Sequence, residues 1–293
     1  MIGEFMRQIQ FLLVRNLTLF VKNRKNVFLC FFAITIIFGL YAIFLRDFMI
    51  QSVSVSGLDL NVVKEFTDRL MTSGLLVVVN TTTCFGIMQL CIHDLETGIQ
   101  RDFLVAPIQK SQLLFAYWLT SIIVSFLYTT IACFGIELFL YQRYDSIFYV
   151  QQQLQILLLI LISSIINSEL LLCMISFIKD TTTFATFGNL YGMLAGFLAG
   201  TYLPYHLYPV KLKEILVYYP PTHLTSLIRQ IFLQSFQEEQ LVARHMEISE
   251  TLFQIYGVRL YNQGVMMEPR QQLILIVLSF ACMLLLLGII HNH

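Results

Sequence analysis

The residues with the clearest capacity for chemistry form a short charged island between two apolar runs. It reads HDLETGIQRDFLVAPIQKSQ, residues 93–112, and it mixes Asp94, Glu96, Arg101 and Asp102 with apolar side chains. Carboxylates and a guanidinium so close together can orient a charged partner surface, while the apolar residues between them can anchor it. The island is therefore a candidate docking segment.

The local sequence favours a helical elbow for this island. Gly98 permits a sharp turn or a close contact, and Pro107 ends a helix because it lacks an N–H and restricts the residue before it. A short helix between them would show apolar residues such as Phe103 beside the charges. Such an elbow suits the groove of a partner protein.

A second candidate is the carboxylate of Glu169, which lies in an apolar run after Ser163, Ser164, Asn167 and Ser168. A carboxylate at the centre of a bilayer costs roughly 2.5–3.5 kcal/mol on insertion scales, so it should face protein or water. Helical geometry places the serines and Asn167 on one face and Glu169 nearly opposite. Glu169 is thus either a separate functional carboxylate or a group hydrogen-bonded to a neighbouring helix.

Other chemistries find no support in the spacing of residues. The six cysteines lie in or beside apolar runs, with no CxxC pair and no histidine at metal-ligand spacing, which predicts apolar fillers and no metal site. The sequence contains no G-x-x-x-x-G-K-[ST] phosphate loop, so the chain is not expected to hydrolyse ATP itself. No catalytic residue and no cofactor bound by this chain is predicted.

The composition indicates what surrounds these residues. Hydrophobic residues make up 57% of the chain and charged residues 12%, with a mean hydropathy of +0.73, whereas soluble domains carry roughly 25% charge. The 18 basic and 18 acidic residues balance, which gives no argument for a nucleic-acid partner. We predict a single all-α integral membrane domain over residues 1–293. Six runs match a bilayer core of about 30 Å: Val27–Leu45, Leu70–Ile92, Leu113–Leu140, Leu154–Ile178, Phe184–Leu203 and Leu273–Ile290.

The distribution of Lys and Arg predicts the orientation in a plasma membrane. Basic residues on the side of the amino terminus are Arg7, Arg15, Lys22, Arg24, Lys25, Arg101, Lys110 and Lys179. Basic residues in short loops of the opposite side are Arg46, Lys64, Arg69 and Arg143, diluted by Asp47, Asp59, Glu65, Asp68 and Asp145. Both termini and the elbow are therefore expected in the cytoplasm.

Three further segments complete the predicted architecture. Residues 1–25 form an amphipathic helix that should lie flat on the inner leaflet. Residues 204–272 form an external region with a re-entrant helical hairpin interrupted at Pro220 and Pro221. The fifth span carries Gly188, Gly192, Gly196 and Gly200 at four-residue spacing, which favours close helix packing or, alternatively, a substrate route.

The elbow resembles the coupling helix of ABC-2 type permeases, the membrane subunits of type-2 ABC exporters. Glu96-Thr97-Gly98, then residues 101–104, then Ala106-Pro107 match an E-x-G motif followed by a hydrophobic core and a proline. The amphipathic start, the six spans and the elbow between spans two and three match the family layout. The segment from Tyr219-Pro220 to Arg229 is similar to its proline-then-arginine segment.

The resemblance implies a permease that takes its energy from a separate nucleotide-binding subunit, which would hold ATP and Mg²⁺. The residues that would contact that subunit are Glu96, Gly98, Arg101, Asp102, Phe103 and Pro107. A second permease chain, identical or similar, would complete the complex, with substrate passing between the two. Spans two and five would line that route, with the hairpin as an outer gate.

The length of the external region and the carboxylate of Glu169 decide the predicted cargo and two alternative functions. The external region is longer than in the shortest glycan and teichoic-acid exporters, which favours an amphipathic or hydrophobic cargo such as a drug, an antimicrobial peptide or a lipid, exported from the cytoplasm or inner leaflet. A glycan or teichoic-acid exporter is one alternative. The other is an ion-coupled secondary transporter that uses Glu169, although such folds usually show internal repeats, which we do not find here.

Overall fold

The computed structural model describes residues 2–24, 28, 32, 35–36, 38–54, 59–105, 108–178, 180–236, 246–262 and 265–292. Its helices are α1 (Ile2–Lys22), α2 (Arg46–Ser54), α3 (Leu60–Glu96), α4 (Ile99–Val105), α5 (Lys110–Tyr144), α6 (Val150–Ile175), α7 (Thr181–Leu198), α8 (Val210–Leu216), α9 (Pro220–Phe236), α10 (Met246–Ile255) and α11 (Pro269–Asn292). A π-helical turn, Tyr41–Leu45, leads into α2, and a 3₁₀ turn, Tyr205–Leu207, precedes α8. Two short strands, β1 (Tyr261–Asn262) and β2 (Val265–Met266), form an antiparallel pair that the sequence did not predict.

The chain is a multi-pass helical membrane protein. Helices α3, α5 and α6 are each long and apolar enough to cross a bilayer. Helices α3 and α5 contain the second and third predicted spans, and α6 contains the fourth except for its last three residues. The fifth and sixth predicted spans coincide with most of α7 and α11. The first, Val27–Leu45, lies partly outside the described residues, and its described residues are helical. The count of six spans stays a prediction.

Helix α3 begins ten residues earlier than the predicted second span, at Leu60. Glu65, Asp68 and Arg69 therefore lie inside the helix, and their exposed fractions are only 8%, 0% and 2%. The expectation of solvated charges in a short external loop was wrong at these positions. The charges are buried because other protein groups pair with them.

Helix α3 lies at the centre of the bundle and packs against α5, α6, α7 and α9. Its carboxyl-terminal half shares an apolar cluster with Leu12 of α1 and Phe184 of α7. The opposite half shares one with Phe253 and Tyr256, in and just after α10. Helix α3 therefore contacts most of the other long helices of the bundle.

A polar seam crosses the middle of the bundle at Asn80 of α3. Its side-chain amide donates to Thr129 (3.1 Å) and Ser164 (2.8 Å), and its oxygen accepts from Ser163 (3.1 Å) and Asn167 (2.9 Å). All four hydrogen-bonding positions of the amide are used. A fully satisfied network in an apolar medium fixes the register of α3, α5 and α6 relative to one another.

Arg229 holds the hairpin helix α9 against two other helices. It is 2% exposed and donates to the carbonyl oxygens of Gly200 (2.7 Å) and Tyr256 (2.9 Å). Gly200 and Gly257 have φ values of +70° and +67° and end α7 and α10 in left-handed turns. The guanidinium thus lies against the negative ends of two helix dipoles and stabilises both.

Candidate functional site: the elbow after the second predicted span

The elbow begins where α3 ends in a left-handed turn at Gly98. Gly98 has a φ of +80°, and an added Cβ there would meet nothing within 4 Å. The backbone conformation, rather than lack of space, therefore favours glycine at this position. Thr97 donates its hydroxyl to the carbonyl oxygen of His93 (2.7 Å), which completes the end of α3 before the chain turns into α4.

Helix α4 has one anchored face and one free face. Gln100 is buried and donates to the carbonyl oxygen of Cys91 (3.2 Å). Phe103, three residues later, packs its half-buried ring under the guanidinium of Arg15, at 5.0 Å from the ring centroid. Asp102 is exposed, and Val105, three residues later, is 89% exposed. The helix therefore presents an acidic and an apolar side chain outward while its other face is fixed.

A buried carboxylate joins three helices directly behind the elbow. Asp94 of α3 is 2% exposed and accepts hydrogen bonds from Arg15 Nη1 of α1 and from Tyr117 Oη of α5, each at 2.5 Å. Burial by itself lowers the pKa of the Arg15 guanidinium, but the hydrogen bond and charge of Asp94 outweigh it and raise that pKa. We call Arg15, Asp94, Tyr117 and Phe103 the Asp94 cluster.

The first helix lies against the bundle through this cluster. Arg15 is one of the basic residues of this amphipathic helix, and its side chain turns inward and is only 18% exposed. Leu12 and Phe20 of the same helix are buried, and Gln8 accepts a hydrogen bond from Gln112 of α5 (2.7 Å). Large apolar residues remain exposed on the rest of α1, including Phe11 at 62%, which suits contact with lipid.

Glu96 connects the elbow to the start of α7. Its Oε2 accepts a hydrogen bond from the backbone N–H of Thr181 (3.1 Å). Asp180 caps the same helix by accepting from the N–H of Thr183 (2.7 Å), and this bond lowers the pKa of the Asp180 carboxyl. The two carboxylates interact favourably with the positive end of the helix dipole and so stabilise the start of α7. The elbow therefore touches the loop before the fifth predicted span.

The structure places the remaining elbow residues only in part. Arg101 belongs to helix α4, but its side chain is outside the described part of the chain. Pro107 and Ala106 lie outside the described residues. Glu96, Gly98, Asp102 and Phe103 do come together at the elbow. Sequence reasoning missed the roles of Arg15 and Tyr117, which no motif spacing links to Asp94.

The glycines of α7 lie far from the elbow along the chain and face large side chains. A Cβ at Gly188 would fall 1.6 Å from the ring of Phe85 in α3, and one at Gly196 would fall 2.0 Å from the ring of Tyr202. At Gly192 the nearest atom, in Thr82, would be 3.6 Å away, which is an ordinary contact. Close approach of α7 to α3 thus depends most strongly on Gly188.

Glu169 also lies apart from the elbow. It is 1% exposed, and neither of its carboxylate oxygens has a hydrogen-bond partner among the described residues. One turn later, the Cys173 thiol approaches the carbonyl oxygen of Met283 at 3.8 Å, so this face of α6 packs on α11. Asn167 faces the other way, toward Asn80, as helical geometry predicted.

Comparison with known proteins gives one match. A family model described as ABC-2 type transporter matches residues 7–233, from α1 into α9, and this range contains the whole elbow. No curated protein matches the chain.

Proposed function

The chain belongs to the ABC-2 type transporter family, and on that premise we propose that it is the membrane subunit of an exporter driven by a separate ATP-binding subunit. Membership makes it an ABC-type permease subunit that is not itself an ATPase. The observation that carries the finer proposal is the two-faced helix α4. Its fixed face joins the bundle and its free face is available to a cytoplasmic partner.

The free face defines what the ATP-binding subunit must offer. Val105 needs an apolar pocket. Asp102 lies three residues earlier, on the same side of the helix, and needs a cation beside that pocket. ATP and Mg²⁺ would be bound by that subunit. Its closure on ATP would push the elbow from the cytoplasmic side.

Three contacts would carry such a push into the membrane. Gln100 ties α4 to the end of α3, Asp94 ties α3 to α1 and α5, and Glu96 reaches α7. Helix α3 has 37 residues and is therefore about 55 Å long, enough to cross the bilayer as one lever. A tilt of α3 at the elbow would displace its far end, where it packs on α9.

The proposed complex contains two permease chains, identical or similar, with both termini of each chain in the cytoplasm. Substrate would pass between them along α3 and α7, and the hairpin around α9 would form the outer gate. The preferred cargo is amphipathic or hydrophobic: a drug, an antimicrobial peptide or a lipid. The long external region, which continues through α10 and the β1–β2 pair, supports this over a glycan or teichoic-acid cargo.

The elbow assignment can be tested by one matched pair of variants. Val105→Asp places a carboxylate on the free face of α4, and Val210→Asp makes the same change at a residue that is 71% exposed at the start of α8. We expect Val105→Asp to reduce co-purification of the ATP-binding subunit at least about tenfold, because a charge must then enter an apolar pocket. Val210→Asp should leave the complex intact.

If both variants co-purify with the ATP-binding subunit as the wild type does, α4 is not the docking helix. Two variants of the turn extend the test: Glu96→Lys and Gly98→Trp should abolish transport and substrate-stimulated ATPase activity without preventing membrane insertion. Tryptophan at Gly98 is strained because of the positive φ rather than a clash.

A second candidate function rests on Glu169. A buried carboxyl group without a partner in the described residues is the kind of group that an ion-coupled transporter uses. Transport by proteoliposomes supplied with ATP and an uncoupler separates the two mechanisms. Continued transport supports the ATP-driven exporter, and loss of transport supports ion coupling.

A further inference from the structure

An apolar cavity of about 430 Å³ lies between the first predicted span, α3 and α5. Its walls include Phe38 and Gly39 from the first of these, Val79 from α3, and Gly135 and Phe139 from α5. The volume falls within the roughly 300–1,000 Å³ typical of small-molecule sites. Among the described lining residues, Thr35 is the one with a polar side chain. The ligand must therefore be apolar over most of its surface.

Two glycines, Gly39 and Gly135, line this space without filling it. A Cβ added to Gly39 or to Gly135 would meet no atom within 4 Å. Neither glycine has a positive φ, so neither is required by backbone conformation. The cavity is open to the surrounding membrane, since Ile131 in its wall is 53% exposed. Atoms that line a void lose dispersion contacts, so an occupant from the bilayer is favoured.

Polar residues on either side of the cavity indicate its position across the membrane. Along α3, Leu75 and Val79 of its wall lie between Asp68 and Asn80. Along α5, Phe139 lies one turn before Arg143, which is in the last turn of the helix. In the predicted orientation this is the outer leaflet, with Arg143 at the level of the lipid headgroups.

Arg143 supplies a cation at the rim of the cavity. Its guanidinium stacks over the ring of Phe139 at 5.0 Å from the centroid, and its side chain is exposed. It takes part in none of the ion pairs found in the described part of the chain. Arg46, by contrast, is committed to Asp68. The positive charge of Arg143 can therefore bind an anion that arrives with the apolar ligand.

We propose that this cavity binds an anionic phospholipid of the outer leaflet, with one acyl chain between Gly39 and Gly135 and the headgroup phosphate on Arg143. The chain fills the apolar space, and the guanidinium selects the headgroup through charge-assisted hydrogen bonds. The proposal goes beyond the exporter function and does not depend on it. The bound lipid would brace the first span against α3 and α5.

The test measures lipid bound per chain after reconstitution of the complete transporter into nanodiscs. The nanodiscs contain phosphatidylglycerol and phosphatidylcholine with identical acyl chains, and native mass spectrometry counts both lipids. Wild-type protein should retain phosphatidylglycerol about tenfold over phosphatidylcholine, the effect of one charge-assisted contact. Arg143→Gln should keep one lipid but lose the preference, while Arg270→Gln, at an exposed arginine in α11, should not change it.

Filling the cavity separates the chain site from the headgroup site. Gly135→Phe should remove the retained lipid, whereas Leu138→Phe adds the same ring at a residue that is 57% exposed and outside the cavity and should not. Gly39→Leu fills the space from the opposite wall and repeats the test if Gly135→Phe does not fold. Retention of lipid in the folded filling variants, or equal retention of the two lipids by wild-type protein, would overturn the proposal.

Discussion

The two ends of α3 each carry an aspartate that binds an arginine and a tyrosine, but the residues around the two sets differ. Near the carboxyl-terminal end, Asp94 binds Arg15 and Tyr117; near the amino-terminal end, Asp68 binds Arg46 and Tyr144. Each set joins an aspartate of α3, an arginine from an earlier segment and a tyrosine of α5. The bundle is thus fastened at both ends of its central helix by the same chemistry.

The difference lies in what else each set touches. Arg15, the arginine bound to Asp94, also stacks on Phe103 of the elbow. At the opposite end, Asp68 accepts a hydrogen bond from Tyr41, and the neighbouring Arg69 pairs with Glu65 and donates to the carbonyl oxygen of Phe232 in α9 (2.7 Å). The Asp68 set is enclosed by other helices of the bundle, whereas the Asp94 set borders α4, the helix that we propose as the docking element. Because Asp68 also binds Tyr41, we predict a larger contribution to stability from the Asp68 set. Because Arg15 contacts Phe103 of the elbow, we predict a larger contribution to coupling from the Asp94 set.

The largest expected effect on stability comes from Asp68→Ala. This change leaves a guanidinium and two tyrosine hydroxyls without their acceptor, and breaking a buried ion pair costs roughly 3–5 kcal/mol. We expect a marked fall in the thermal unfolding midpoint of the detergent-purified protein. Asp94→Ala should also lower the unfolding midpoint. An unchanged midpoint for Asp68→Ala would show that the Asp68 set does not fasten the bundle.

The comparison is sharpest in the pair Asp94→Asn and Asp68→Asn. Both keep the volume of the side chain and remove its charge, so each weakens one charge-assisted contact, worth roughly 1.5–3 kcal/mol. For Asp94→Asn we expect transport per ATP hydrolysed to fall about tenfold, since α3 then follows the elbow less closely. Asp68→Asn should lower the unfolding midpoint while leaving this ratio near the wild-type value.

The measurement is transport and ATP hydrolysis in the same proteoliposomes, corrected for the amount of folded complex. Equal losses of coupling in the two variants would mean that fastening α3 at any point matters and that the Asp94 cluster has no special place. If both variants transport as much substrate per ATP hydrolysed as the wild type, the Asp94 cluster does not transmit movement from the elbow to α3.

Much of the helical framework follows from the sequence because long apolar runs have few alternatives in a bilayer. For this reason the second and third predicted spans fall inside α3 and α5, and the fourth coincides with most of α6. The start of α3 was misplaced because charged residues were read as a solvated loop, and sequence does not show that Arg46 and Tyr144 pair with Asp68. A buried charge is tolerated where an ion-pair or hydrogen-bond partner stabilises it, and the tertiary structure determines which partner lies close.

The same limit applies to the candidate site. The turn at Gly98 and the short helix after it follow from local backbone chemistry, so the elbow could be predicted. The link between Arg15 and Asp94 spans 79 positions of sequence, and no periodicity relates them. The sequence also showed both Phe103 and Asp102 on one short helix, but it could not say which of them faces inward.

A smaller effect is expected from removing one hydroxyl at each end of α3. Tyr117→Phe and Tyr144→Phe each delete a hydrogen bond to a carboxylate that retains its arginine, and we expect a loss of about 1 kcal/mol in either case. The two shifts in unfolding midpoint should be alike, and only Tyr117→Phe should also reduce coupling measurably. A larger coupling defect in Tyr144→Phe would reverse the assignment of the two ends.

The smallest effect is expected at Glu169, a buried carboxyl group that lacks the partners of Asp68 and Asp94 among the described residues. Glu169→Gln preserves shape and removes no observed contact, so the unfolding midpoint should change by less than the equivalent of about 1 kcal/mol. ATP-driven transport should stay at the wild-type rate with or without an uncoupler. If Glu169→Gln instead stops transport while the protein remains folded and ATP hydrolysis continues, the unpaired carboxylate moves an ion or contacts cargo, and the paired carboxylates are then only the frame around it.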